Sequence, residues 1–254
     1  MSFEITTHLA LILIGVAFIA GFVDSIAGGG GLLSVPALLL CGVPPLQALA
    51  TNKLQGMAGA GTAFANYAHA GQIDPRRNLG TAAISLGFGA AGSLLAASLP
   101  SDLLKLIMPP ILIGIAVFFA LKPGLDDHPR PARISPLVFS VIVVPVIAAY
   151  DGFFGPGTGS FFMLAYVMLA GHGVLRATAE TKLLNFASNI GSFGVFALAG
   201  HMMWKVGLGM ALAQVVGATL GSRLAVRVGA RLIKPLLVVT STGMALRLVL
   251  QSWF

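Results

Sequence analysis

Apolar runs follow one another along nearly the whole chain: Leu9–Phe22, Ile84–Leu99, Leu103–Leu121, Leu137–Ala149 and Leu232–Leu250. Runs of this kind read as membrane helices, since about 20 apolar residues cross the hydrocarbon core of a bilayer. Two interruptions break the pattern. In the first, Asp24 ends an apolar run, the glycines Gly28, Gly29, Gly30 and Gly31 follow, and Lys53 lies inside a later run. In the second, Asp151 precedes Gly155-Pro-Gly-Thr-Gly159, and Lys182 follows in the same way. Charges and helix-breaking residues are costly in such surroundings, so their duplication predicts a binding site built from two halves.

The duplication extends beyond these residues. Asp24 aligns with Asp151, Gly28 with Gly155 and Gly30 with Gly157 at one constant shift. After a two-residue insertion near Gly171–Gly173 the register continues through Lys53/Lys182, Leu79-Gly80/Leu208-Gly209 and Gly92-Ser93/Gly221-Ser222. An internal repeat follows, with residues 1–121 as the first transmembrane repeat, 122–135 as a polar linker and 136–254 as the second.

Each repeat reads as five apolar segments, at 8–24, 32–43, 46–69, 77–99 and 102–121, then 136–150, 160–170, 175–199, 205–225 and 231–251. The second segment of each is too short to span and follows the glycine break, so the first two form a broken or re-entrant hairpin. Three full spans follow each hairpin. An odd number reverses the entry side of the second repeat, which predicts an all-α polytopic membrane protein of two inverted repeats. Arg76, Arg77, Lys122, Arg130, Arg133, Arg176, Arg223, Arg227, Arg231 and Lys234 then share one side, against Lys105, Lys205 and Arg247 on the other. By the positive-inside rule the linker is cytoplasmic and both termini lie outside.

Composition agrees with this reading. Of 254 residues 57% are hydrophobic and 9% charged, and the mean hydropathy is +0.93. The net charge of +7 sits mostly in loops, where it sets topology and gives no reason to expect nucleic acid as a partner. The single cysteine, Cys41, leaves no internal disulfide and no multi-cysteine metal site.

The polar residues of the third segments fall on helical faces. Thr178, Lys182, Asn185, Asn189 and Ser192 recur at spacings of three and four, as do Asn52, Gln55, Gly59, Thr62 and Asn66. A lysine some eight residues into a span lies roughly 12 Å deep and must pair with an acid, snorkel or face a polar cavity. One reading makes Lys182 a structural ion pair with Glu180 or Asp151; the other turns both lysines toward an anion. The glycine breaks precede short helices whose N-termini expose N–H groups and the positive end of the helix dipole. The candidate anion-binding set is therefore Gly29, Gly30, Gly31, Asn52, Lys53, Gln55, Gly157, Thr158, Gly159, Lys182, Asn185 and Asn189. Asp24 and Asp151 either cap these helices, pair with the lysines or carry coupling protons. No catalytic residue, metal ligand or cofactor is expected.

The stretch Gly21-Phe-Val-Asp-Ser-Ile-Ala-Gly-Gly-Gly-Gly-Leu-Leu-Ser-Val-Pro-Ala-Leu, with Gly42-Val-Pro-Pro and Ala50-Thr-Asn-Lys-Leu, resembles the first half of the TauE/SafE sulfite exporter family. Gly155-Pro-Gly-Thr-Gly159 and Ala179-Glu-Thr-Lys-Leu183 are similar to its second-half signature. The resemblance implies a bacterial or archaeal inner-membrane permease for sulfur-containing anions such as sulfite or organosulfonates, exporting them and coupled to an ion gradient; the buried aspartates suit H+ as the coupling ion, and a homodimer is a compatible assembly. Members of that family are described with about eight spanning helices, and an even number per half would make the repeats parallel. Two other classes stay open: an intramembrane enzyme acting on an anionic lipid, such as a lipid-pyrophosphate phosphatase, and a passive anion channel. Asp24 has no nearby Glu or His to support the first.

Overall fold

The computed structural model describes residues 6–121 and 129–229. The segment expected at 231–251, with Arg231, Lys234 and Arg247, lies outside the described residues, as does the linker at 122–128. The helices are α1 (Thr7–Ala27), α2 (Gly30–Leu40), α3 (Pro45–His69), α4 (Leu79–Ser98), α5 (Ser101–Leu121), α6 (Pro136–Phe153), α7 (Thr158–Met168), α8 (Val174–Leu198) and α9 (Trp204–Val228). A 3-10 turn at Pro75–Asn78 leads into α4, and a π turn at Phe139–Val143 interrupts α6. Among the described residues there are no strands. The stretches Thr7–Ala27, Pro75–Ser98, Pro136–Phe153 and Trp204–Val228 are long and apolar enough to cross a membrane. Leu11, Ile19, Leu94, Leu95, Leu212 and Leu220 are at least half exposed on their outer faces, as lipid contact requires. The protein is an all-α polytopic membrane protein.

The two short segments are helices α2 and α7, 11 residues each. At 1.5 Å per residue each is about 16 Å long, half of what a span needs. Their starts differ from the sequence expectation. Gly30 and Gly31 already belong to the first turn of α2, and Thr158 and Gly159 to that of α7, so the breaks contract to Gly28–Gly29 and Phe154–Gly157. Positive φ angles occur in both, at Gly28 (70°) and Gly29 (126°), then at Gly155 (95°) and Gly157 (85°). A side chain would strain these positions, which is why the breaks are glycine-rich.

Long helices cross-pack between the two parts of the chain: α1 lies on α9, α6 on α4, and α3 on both α8 and α9. The contacts recur at aligned positions. A Cβ at Gly221 would fall 2.4 Å from the Phe22 carbonyl oxygen, and one at Gly92 would fall 2.0 Å from that of Ala149. These glycines belong to the repeated Gly-Ser pair and let α9 and α4 approach their partners backbone to backbone. Between α3 and α8, Gly56 meets Asn189 while Gly61 and Phe64 meet Phe186, so the two helices run antiparallel.

Candidate anion site

The two breaks touch. A Cβ on Gly28 would lie 2.4 Å from the Gly159 carbonyl carbon and the Ser160 nitrogen, so only glycine permits the crossing. The Ser160 hydroxyl donates to the carbonyls of Ala27 (3.0 Å) and Gly28 (2.6 Å), tying the start of α7 to the end of α1. Asp24, one turn before the first break, is buried. Its Oδ1 accepts hydrogen bonds from the N–H groups of Gly29 (3.0 Å) and Gly30 (3.1 Å), which caps α2.

Both lysines are fully buried, and each reaches the aspartate of the other half. Lys182 Nζ lies 2.9 Å from Asp24 Oδ2, and Lys53 Nζ lies 2.8 Å from Asp151 Oδ1. Lys53 also donates to the backbone carbonyl of Asp151. The second carboxylate oxygen of Asp151 accepts from Ser188 and from Asn189 Nδ2 (3.3 Å). A buried ion is tolerated when its partner and remaining hydrogen bonds are in place, and both carboxylates meet this, each accepting from a lysine and from further donors. Lys182 pairs with neither of the partners considered from sequence, Glu180 or Asp151. Glu180 is held instead by Arg176 Nε at 3.0 Å.

Between these bridges lies a polar chamber of about 20 Å³, room for about one water molecule. Of the residues singled out from sequence, Asp24, Gly29, Gly31, Asn52, Asp151, Gly157, Thr158, Gly159, Asn185 and Asn189 line it. Gly30, Lys53, Gln55 and Lys182 do not. Gly155, read from sequence as the start of the second break but not as part of the binding set, lines it as well, and so do Gly56 and Gln214, which escaped the sequence reading. Gly56 is one glycine among many, and Gln214 is a lone amide in the apolar stretch of α9.

Hydrogen bonding sets which way two of the amides point. Asn52 Oδ1 accepts from Ser34 Oγ (2.8 Å) and Gln55 Nε2 (3.3 Å), which turns Asn52 Nδ2 toward Gly31. Asn185 Oδ1 accepts from Asn189 Nδ2, which turns Asn185 Nδ2 toward Gly159. Each short helix thus has an amide donor from a long helix beside its first turn. These two amide donors, the N-terminus of α7 and carboxylates already matched by lysines form a surface suited to an oxyanion.

A second, larger cavity of about 830 Å³ opens between the α3–α4 loop, the start of α6 and the α7–α8 turn. Arg77, Asp74, Tyr166, His172, Arg176 and Glu180 are among its walls. His172 Nδ1 is 3.5 Å from Glu180 Oε1, and its ring stacks on Tyr166. Burial, with Arg176 adding to it, holds the imidazole below its ordinary pKa against the opposing pull of Glu180. The end of the linker is pinned to this turn: the N–H groups of Arg130 and Arg133 donate to the carbonyls of Gly171 (2.9 Å) and Leu169 (2.8 Å).

A helical membrane protein with paired half-helices around a small polar chamber has the architecture of a transporter, in which broken helices meet at a shared site. The sequence profile of the family described as "Sulfite exporter TauE/SafE" matches residues 13–248, and the chain belongs to that family. It is 53% identical to the "Probable membrane transporter protein ORF9" of Sinorhizobium sp over 246 residues, covering 97% of this chain and 94% of the relative. A "Probable membrane transporter protein" of Haemophilus influenzae is 41% identical, with 99% of each chain covered. The "Probable membrane transporter protein YfcA" of Escherichia coli K12 is 40% identical, with 98% of this chain and 93% of the relative covered. No solved structure matches the chain. The protein is a multi-pass bacterial membrane transporter of the TauE/SafE type.

Proposed function

We propose that the chain is a secondary exporter of small sulfur-containing anions, of the sulfite or organosulfonate class, and that the chamber between the breaks is its binding site. The carrying observation is the pair of amide donors, Asn52 and Asn185, held beside the first turns of α2 and α7. The family description supports the sulfur chemistry.

The mechanism is alternating access between two inverted repeats, residues 1–121 and 136–254, joined by the linker 122–135. The antiparallel contact of α3 with α8 favours this over parallel repeats, because equivalent helices that touch antiparallel imply a two-fold axis across them. With both termini outside, the 830 Å³ cavity faces the cytoplasm and the small chamber lies between the two breaks. Lys53 then lies nearer the outer surface and Lys182 nearer the cytoplasm, each about eight residues into its helix. Each bridge joins the two halves, so rocking one half against the other loosens one bridge at a time. Protonation of the freed Asp24 or Asp151 couples transport to H+. In this account the lysines serve the anion by neutralising the carboxylates that line its chamber.

Counterflow in proteoliposomes, screened with sulfite, thiosulfate, sulfonates and carboxylates, tests this reading. Accumulation of a sulfur oxyanion against its gradient is expected. Equilibration without accumulation would mark a passive channel, and phosphate release from a polyprenyl pyrophosphate would favour the intramembrane enzyme.

A further inference from the structure

Gln214 is a buried amide in α9 that no other part of the site explains. Its side chain is 3% exposed, lines the central chamber, and leaves Oε1 without a partner among the described residues. Leaving a buried amide unpaired is expensive, so a native one calls for an explanation. The surroundings are shaped to hold it. A Cβ on Gly21 of α1 would lie 2.7 Å from Gln214 Cγ, and one on Gly59 of α3 would lie 2.7 Å from Gln214 Nε2, so two glycines form a slot only as wide as this side chain. It is not a remnant of the repeat. The aligned position in α4 is Ser85, whose hydroxyl is satisfied by the Leu184 carbonyl at 2.7 Å.

The charges at the chamber add a second observation. Asp24 and Asp151 line it, while Lys182 and Lys53, which neutralise them, do not. No surplus positive charge faces the interior. The cost of burying an ion grows with the square of its charge, so a dianion costs about four times what a monoanion does in the same cavity. A primary amide offers N–H donors and a carbonyl acceptor together. Its complement is an anion that carries both a charged oxygen and a hydrogen to give.

The geometry assigns Gln214 as a substrate-contacting residue that selects a singly charged oxyanion bearing a hydrogen-bond donor, of the hydrogensulfite type. As the halves part, the chamber widens from its one-water volume and uncovers Gln214 Oε1; Asn52 and Asn185 then hold the charged oxygens from the α2 and α7 ends, and Gln214 Oε1 accepts the substrate's hydrogen from α9. This rests on the anion-exporter reading above and adds the charge state and the discriminating side chain.

Counterflow with equal pH on both membrane faces tests it, using sulfite, sulfate and methanesulfonate as probes. Methanesulfonate keeps one charge throughout and carries no donor, so its flux reports any titration of the protein itself. Relative to methanesulfonate, sulfite flux is expected to fall as pH rises through the second ionisation of sulfite, and sulfate is expected to be carried poorly. Gln214→Leu is expected to lower hydrogensulfite flux about tenfold or more. It should also unfold at the same or a higher temperature in detergent, because an unpaired amide is replaced by an apolar group of similar size. Sulfite flux that rises with the dianion fraction, sulfate carried as well as hydrogensulfite, or wild-type flux in Gln214→Leu would overturn the inference while leaving the exporter reading intact. Absence of flux for every sulfur oxyanion in the wild-type protein would overturn both. If Gln214→Leu fails to fold, the wild-type comparison of sulfite with sulfate decides alone.

Discussion

Lys53 and Asp151 stand far apart in sequence, on α3 and α6, yet their side chains meet at 2.8 Å in a position closed to solvent. Lys182 and Asp24 repeat the arrangement at 2.9 Å with the halves exchanged. The polar intrusions that mark each repeat are therefore neutralised across the repeats.

Removing one member of either bridge leaves a buried, uncompensated charge. Lys53→Met or Lys182→Met is expected to destabilise the protein by about 3–5 kcal/mol. The exchanged pair, Lys53→Asp with Asp151→Lys, should recover much of that loss. Thermal unfolding in detergent, read for the single and double variants, checks both expectations.

Glycine at the repeated Gly-Ser pair is required for helix approach. Gly92→Ala and Gly221→Ala place a Cβ 2.0 Å and 2.4 Å from carbonyl oxygens of α6 and α1. Each is expected to cost about 1–3 kcal/mol. Gly80→Ala, where a Cβ meets nothing within 4 Å, should change little. Comparing the three unfolding temperatures tests whether close approach, rather than helix propensity, sets the effect.

Acidification acts at the α7–α8 turn. The folded pKa of His172 is held below its ordinary value, while the unfolded chain titrates near about 6.5. As pH falls through that range the unfolded state takes up the proton first, so the folded state loses stability. His172→Gln should flatten this part of the pH profile, measured as unfolding temperature between neutral and mildly acidic buffer.

Much of this arrangement was legible in the sequence, for reasons that differ by residue. The apolar runs and the two Asp–glycine–Lys patterns announced membrane helices and broken segments, because burying charge in lipid leaves few alternatives. The spacing of Asn185 and Asn189 put them on one helical face, and both line the chamber. The partners of the lysines were not legible. Within one half, Lys182 has Glu180 close in sequence, and only the crossing of the halves brings Asp24 nearer. Helix starts moved by two residues because glycine is as compatible with a first helical turn as with a break. Gln214 gave no signal, since one amide in α9 has no periodic companion.

Substrate flux through Asn52→Leu with Asn185→Leu is the most direct measurement of the central claim. Both substitutions remove an amide donor beside a short helix and leave the two lysine–aspartate bridges in place. In proteoliposomes with folded protein at wild-type density, counterflow of sulfite is predicted to fall at least tenfold. Flux close to that of the wild type would contradict an anion site between the two breaks.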